Sequence, residues 1–524
     1  MCGIFAILYS KRNNSDIKVN VETLTKRGPD RTKEIVDVDK IFHLVFHRLC
    51  INDVSENGDQ PFTNKGESIF VMCNGEIFNY QALVKKYNLE LSSQSDCEII
   101  LRLYEKKLIN KETIKEFNGD FAFLIYDKFQ NKVILSRDRI GVRPLFYGFT
   151  KDNDFVVSSE IKAMSMCDEI HHVLPGTITT YFQEKGRNVN NELYFEVLNR
   201  ITYSKPCQNL RNLLINSVKL RLLSDRPIGC LLSGGLDSSI VSSILCKLLG
   251  PKNVRTYSIG MEGSLDLLYA KKVADFLGTK HTEVLFTPEE GLKAIPEVIY
   301  HLESYDITTI RASVGMYLLG KYISENTNDK VIFSGEGSDE ILCGYLYFHY
   351  APTPRYAHEE SLRLISELYK YDVLRADRCI SSHGLELRVP FLDPNVVNFC
   401  TTIHGELKAP NGRIEKEILR DQFRGDLPDE VLWRRKDGFS DGVSSKTKSW
   451  YEYIKEFVEK EVGNEEFLNS NSKEVSKEAY YYKKIYNYFF PYYPKPIDYY
   501  WMPKWIKGID QSNPSGRILK VFEE

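Results

Sequence analysis

The chain has 524 residues, too many for one ordinary hydrophobic core, so it divides into two or three domains. At 42% hydrophobic, 27% charged and 12% aromatic, its composition is globular and excludes a collagen-like, disordered or membrane-embedded chain. Lys plus Arg is 69 against 72 Asp plus Glu, a formal charge of -3 that excludes a broad basic footprint for nucleic acid or anionic lipid.

The eleven cysteines contain no C-x-x-C pair and no tight cluster. A structural zinc site is therefore not expected, and the odd number fits a reducing, cytoplasmic compartment better than a disulfide framework. No stretch reaches the roughly eighteen apolar residues of a membrane span. The chain opens Met1-Cys2-Gly3-Ile4-Phe5-Ala6-Ile7-Leu8, with Lys11-Arg12 after the apolar run, whereas a secretory signal carries its positive charges before it. The start therefore reads as a buried strand.

In chain order, short β-rich runs follow at 42–46, 68–73, 121–126, 132–136, 155–159 and 177–181, with helical stretches at 80–87 and 96–106. This pattern predicts an α+β domain of packed antiparallel sheets. Beyond Lys205-Pro206 the rhythm changes to strand–helix alternation: a helix over 210–223, a strand at 228–232, a helix over 238–249, a strand at 255–259, a helix over 268–277 and a strand at 330–333. That predicts an α/β domain on a parallel sheet. The expected units are 2–200 and 206–524, and the aromatic, Pro-rich stretch from Glu478 is too apolar for a disordered tail, so it reads as an ordered wrap over the second domain.

Cys2 follows the initiator Met. Once Met1 is removed, one residue carries both a thiol and an α-amine whose pKa of about 7.7–8.0 suits it to take the thiol proton. A buried core cysteine is the bland alternative. Three downstream motifs bear on the choice. Arg48 in His47-Arg48-Leu49 can hold a carboxylate. Asn74-Gly75-Glu76 reads either as a tight turn or as two oxyanion donors. Asp96 in Ser95-Asp96-Cys97-Glu98 either caps a helix or holds an ammonium group. Nucleophile, oxyanion donors, cation and anion together suit an α-amino acid with a side-chain amide, and glutamine fits.

In the second unit the apolar run 228–232 leads through Ser233-Gly234-Gly235-Leu236-Asp237-Ser238 into a helix, the order a phosphate cradle requires. The loop lacks the Gly-Lys-Ser/Thr end of a γ-phosphate-transfer loop, so attack at the α-phosphate is expected, with Asp237 on Mg²⁺ and pyrophosphate. A second polar loop, Ser334-Gly335-Glu336-Gly337-Ser338-Asp339-Glu340, leaves another strand at its carboxyl end, where open α/β sheets bind ligands. Thr308-Thr309-Ile310-Arg311, Arg388 and Arg435-Lys436 add groups for phosphate or carboxylate.

These motifs, together with Arg27-Gly28-Pro29-Asp30, the run 137–147 and the run 305–349, closely resemble the glutamine-hydrolysing asparagine synthetases nearly end to end. The resemblance implies an Ntn-hydrolase αββα sandwich carrying a glutaminase, then an adenine-nucleotide α-hydrolase-like domain. It implies Cys2 as nucleophile with Asn74 and Gly75 as oxyanion donors. Arg48 and the backbone of Leu49, Cys50, Ile51 and Asn52 would hold the glutamine carboxylate, and Glu76 and Asp96 its amine. Leu232, Ile259, Ser334 and Gly335 would contact adenine and ribose of ATP, and Ser233, Gly235, Asp237 and Ser238 pyrophosphate, with Asp339 near Mg²⁺. Glu336 would serve β-aspartyl-AMP formation and ammonia deprotonation, Lys436 the α-phosphate charge, and Thr309, Arg311 and Arg388 the aspartate.

Glutamine, aspartate and ATP are thus the expected partners, with ammonia travelling inside the protein, no nucleic acid or membrane, and a homodimer on the strength of relatives alone. Alternatives are a β-lactam-synthetase-like cyclase, against which intact Cys2, Arg48, Asn74 and Asp96 argue, and an RNA-modifying enzyme, against which the charge argues. A non-catalytic protein that kept the fold would be expected to lose at least one polar site, and none is lost. One departure is Asp120, where relatives usually carry Met.

Overall fold

The computed structural model describes residues 1–9, 14–37, 42–197, 209–436, 438, 442–469 and 474–506. The expected domain junction at 200–206 and Cys207 lie outside these residues. The first domain contains β1 (Gly3–Leu8), β2 (Arg31–Val36), β3 (Phe42–Arg48), β4 (Phe62–Thr63), β5 (Ile69–Ile77), β6 (Gly119–Asp127), β7 (Lys132–Arg137), β8 (Phe146–Thr150), β9 (Phe155–Ser158), β10 (Cys167–His172), β11 (Thr177–Phe182) and β12 (Val189–Leu193). They form two six-stranded antiparallel sheets, ordered β10-β8-β9-β1-β3-β2 and β12-β11-β7-β6-β5-β4.

Side-chain alternation along the strands builds the layers. Ile4, Ala6 and Leu8 share the cluster between the sheets with Met72, Leu124 and Tyr126. Phe5 and Ile7 point the other way, into a cluster with Ile17 and Val21 that continues through the second domain. Beyond the second sheet, Val71, Cys73, Phe121 and Phe123 pack with residues of the helices Tyr80–Tyr87 and Ile99–Glu105. The result is the expected αββα sandwich.

The second domain holds a five-stranded parallel sheet of β13 (Ile228–Leu231), β14 (Arg255–Gly260), β15 (Lys280–Leu285), β16 (Val331–Phe333) and β17 (Glu386–Arg388), ordered β15-β14-β13-β16-β17. The strand order reverses between β13 and β16, and both polar loops leave the sheet there, at the switch point where ligands bind. Its helices include α1 (Leu236–Leu249), α2 (Ile307–Asn326), α3 (Asp372–Ser381) and α4 (Lys477–Phe489). The aromatic C-terminal segment packs onto the second domain over the described residues 478–506. Tyr482, Tyr486 and Phe490 join the main core, and the Trp501 N–H donates to Asp306 at 2.8 Å.

Buried ions join the two domains. Arg221 of the second domain bonds Asp393 at 2.8 Å and Asp120 of the first at 3.3 Å, and Asn118 donates to Asp393 at 2.9 Å. Asp120 is therefore the first-domain member of a buried triad, which gives the departure from Met a structural partner. Removing the cation from such a cluster leaves uncompensated buried carboxylates. Arg221→Ala is accordingly expected to cost about 3–5 kcal/mol, read as a lower urea midpoint. An unchanged midpoint would show that the triad does not hold the domains together.

Candidate active sites

Because β1 is buried from its first residue, the chain start lies inside the fold. Met1 is 1% exposed, its amine donates to Leu385 O at 3.2 Å, and burial lowers that amine to about 6. The Cys2 N–H donates to Asn74 Oδ1 at 2.9 Å, and Cys2 Sγ lies 3.7 Å from Leu49 O. With Met1 attached, burial pushes the thiol up to about 11.

Asn74-Gly75 is not a turn. Both residues sit inside β5, paired with Ala122 and Phe121 of β6. Gly75 has φ +132, and a Cβ there would lie 2.0 Å from Asp120 O, so only glycine fits. Asn74 Nδ2 is buried without a hydrogen-bond partner. A buried amide donor left unpaired costs stability unless a ligand completes it.

Arg48 donates to Asp59 Oδ1 at 2.6 Å, Ser55 O at 2.8 Å and Asn52 O at 3.1 Å, and also to Asp53 O. It thereby shapes the loop that carries Leu49 to Asn52. The second domain steadies that loop: the Asp225 N–H donates to Ile51 O at 3.0 Å, and the Asp225 carboxylate accepts from the Asp53 N–H at 2.8 Å. The Cys50 N–H donates to Asp30 at 2.9 Å.

Glu76 and Asp96 face each other across Asn52 Nδ2, which donates to both. Asp96 also accepts the Ile77 N–H at 2.6 Å. Burial, with Asp96 alongside, pushes the Glu76 carboxyl well above its usual range, and burial raises Asp96 as well. Two adjacent buried carboxylates form a receptor for one cation.

The second site is a cavity of about 440 Å³ at the carboxyl ends of β13 and β16. Leu232, Ser233, Gly235, Asp237, Ser238, Ile259, Ser334, Gly335, Glu336, Asp339 and Lys436 all line it, as do Thr309 and Arg311 of α2. Gly234 has φ +71, and a Cβ on it would lie 2.4 Å from Ala270 N. Gly335 lets the two polar loops touch, since a Cβ there would lie 2.7 Å from Ser238 N at the start of α1. Lys416 Nζ reaches Asp237 and Asp339 at 2.7 Å each, and Lys436 reaches Asp339 at 2.6 Å. Burial opposes ionisation of Asp339, but Lys416 and Lys436 outweigh it and hold the carboxyl well below its usual range.

Glu336 is paired with Arg375 of α3 at 2.8 Å. Burial raises its carboxyl while Arg375 opposes the rise. Tyr345 OH donates to Glu340 at 2.5 Å and its oxygen lies 3.1 Å from Asp372, and burial plus Asp372 push Glu340 well above its usual range.

Arg388 requires correction. It is fully buried, outside the cavity lining, with its guanidinium directed to Glu386 at 2.9 Å, to Leu223 O at 2.6 Å and to Arg221 O. Its position on a three-residue strand turns it toward the domain seam, so it does not face the cavity. Arg311 does line the cavity, but its guanidinium is bonded to Glu478 of α4 at 2.6 Å. Sequence reasoning missed Lys416, Arg375 and Asp372, and it assigned no role to Glu340 and Tyr345, although both lie in the run 305–349 that it singled out. Lys416 stands in an ordinary charged run and takes a left-handed φ of +56, which no sequence signal announces.

Residues 1–207 match the family described as glutamine amidotransferase domain, and 209–359 with 351–505 match asparagine synthase. The chain is 42% identical over 561 residues to glutamine-hydrolyzing asparagine synthetases of Rattus norvegicus and Homo sapiens, and 40% identical over 563 residues to that of Gallus gallus. In each case the alignment covers 100% of this chain and 99% of the relative. The chain belongs to the glutamine-hydrolysing asparagine synthetases.

For a member of this family the contact between the two polar loops is the feature most open to test. Gly335→Ala forces a methyl against the start of α1. It is expected to weaken ATP binding at least about tenfold, or ~1.4 kcal/mol, by calorimetry, while glutamine hydrolysis persists. Undiminished ATP binding would show that the loops need not touch.

Proposed function

We propose that the protein makes asparagine from aspartate, ATP and glutamine through β-aspartyl-AMP, releasing AMP, pyrophosphate and glutamate. The observation that carries the reading is Asn74, whose Oδ1 accepts the Cys2 N–H while its buried Nδ2 has no partner. A carbonyl oxygen placed beside Cys2 would complete that donor.

With Met1 removed, the Cys2 amine takes the thiol proton and Sγ attacks the glutamine amide carbon. Asn74 Nδ2 and the Gly75 N–H hold the developing oxyanion. Glu76 and Asp96 hold the glutamine ammonium and Arg48 its carboxylate. Ammonia leaves, and water releases glutamate from the thioester.

In the second site the aspartate side-chain carboxylate attacks the α-phosphate of ATP, and pyrophosphate departs into the loop of Ser233, Gly235 and Ser238. Asp237 and Asp339 present the oxygen donors a hard divalent ion takes, so they would hold Mg²⁺, which supplies charge neutralisation to the pyrophosphate. Lys436 meets the charge at the α-phosphate. Glu336 takes a proton from the incoming ammonia as nitrogen attacks the acyl carbon and AMP leaves, with Arg375 orienting its carboxylate. Thr309 and Arg311 border the space left for aspartate.

Ammonia kept inside the protein remains unprotonated and nucleophilic. Among the described residues no helix is long and apolar enough to cross a membrane, and the described cysteines are all free thiols. The free thiols suit a reducing, cytoplasmic setting; a homodimer belongs to the same reading.

Two outcomes test this. Cys2→Ala is expected to abolish asparagine formation from glutamine while synthesis from ammonium, with stoichiometric AMP, survives; loss of both would show that the sites are not separable. The raised Glu76 carboxyl holds a proton on the acid side, which the glutamine ammonium must expel. Glutamine affinity therefore rises with pH until Glu76 ionises, and binding releases a proton, measurable by calorimetry in buffers of different ionisation enthalpy. Proton release that persists in Glu76→Gln would remove Glu76 from that role.

A further inference from the structure

The glutaminase nucleophile is held in part by the other domain. Arg27, fully buried behind Cys2, donates from Nε to Cys2 O at 2.9 Å. Its Nη1 lies 2.6 Å from Glu160, 2.9 Å from Asp377 and 3.0 Å from Ser381, and its Nη2 is buried without a partner. A guanidinium is a rigid planar fork, so the direction of Nε is fixed by whatever grips Nη1. Two of those three acceptors, Asp377 and Ser381, lie one turn apart on α3 in the synthetase domain. Asp377 also accepts from Arg143 at 3.4 Å, and Arg143 in turn donates to Leu387 O at 2.8 Å and touches the Met1 side chain.

We infer that Asp377 is a positioning residue for the glutaminase reaction: acting through Arg27, it sets the orientation of the Cys2 carbonyl and hence of the nucleophile. It touches no reacting atom. Its effect is steric and angular, and such misplacements are costly, since a shift of about 1 Å can lower a rate about a hundredfold. Asp377 stands two residues after Arg375, which grips Glu336, so one helix carries contacts to both sites. The inference rests on Cys2 being the nucleophile.

The test uses the full-length enzyme and three variants assayed for both glutaminase and ammonium-dependent synthesis. Asp377→Asn keeps the shape and removes the charge. It is expected to lower glutaminase kcat about tenfold with KM for glutamine unchanged, while ammonium-dependent synthesis stays within about twofold of the parent. Arg27→Gln is expected to lower glutaminase kcat at least as much, and the double variant to be no worse than Arg27→Gln alone, as required if Asp377 acts through Arg27.

Additive losses, an unchanged glutaminase kcat, or a parallel fall in both activities would overturn the inference. Should Asp377→Asn not fold, Ser381→Ala removes the neighbouring α3 acceptor and is expected to lower glutaminase kcat about threefold with the same KM; no change would count against the inference. A Cys2→Ala variant that retained glutaminase would instead overturn the assignment of the nucleophile, and the two failures are thereby distinguished.

Discussion

A chain terminus carries a charge and ordinarily stays in water. Here Met1 is placed in the interior, where β1 starts flush with the seam between the domains and the terminal amine donates to a backbone carbonyl of the second domain, with Glu386, Arg27 and Arg143 as its charged neighbours. That constraint orders much of what surrounds it. Asn74 must come up from the facing sheet to receive the Cys2 N–H, and Gly75 must lack a side chain so that β5 and β6 can close behind it. Arg27 must be buried to reach the Cys2 carbonyl. A buried guanidinium in turn needs anions, which Glu160 and Asp377 provide.

The seam shows the same logic along its length. Arg378 meets Glu160 at 2.6 Å and Glu303 at 3.0 Å, Lys162 meets Glu160 at 2.7 Å, and Arg221 bridges Asp120 and Asp393. Ion pairs buried to this degree add little net stability over an apolar seam. They do fix register, because each charge has few acceptable partners. The short strand β17 illustrates the consequence. Leu385, immediately before it, receives the terminal amine, while the Arg388 carbonyl at its end receives the Ser334 N–H at the head of the nucleotide loop. Three residues of strand thus span the interval between the chain start and the loop that carries Glu336.

The parts legible in the sequence were those with local signatures. Apolar runs such as Phe121–Tyr126 and Ile228–Leu231 gave central strands, and the order of strand, glycine turn and helix gave the nucleotide loop. Most of the missed strands are edges or fragments; the exception is Phe146–Thr150, a buried interior strand between β10 and β9 whose apolar run is interrupted by Gly148. Arg31–Val36, Val189–Leu193 and Lys280–Leu285 lie at sheet borders and carry the polar, alternating residues that blunt an edge, while Glu386–Arg388 is too short to register as periodicity. In the sites, residues inside motifs were found and residues brought in by tertiary packing were not. Lys416 and Arg375 reach the cavity from elements far from either loop. Arg388 is the converse case: its residue type suits a ligand group, but packing directs its guanidinium to Glu386 and to two backbone carbonyls.

If the chain end itself is the catalyst of glutamine hydrolysis, intact-mass spectrometry of the purified, glutamine-active protein finds a mass lighter than the full sequence by one methionine residue, with Cys2 first and its amine free. A fully active protein that retains Met1, with the Cys2 nitrogen still in a peptide bond, would contradict it.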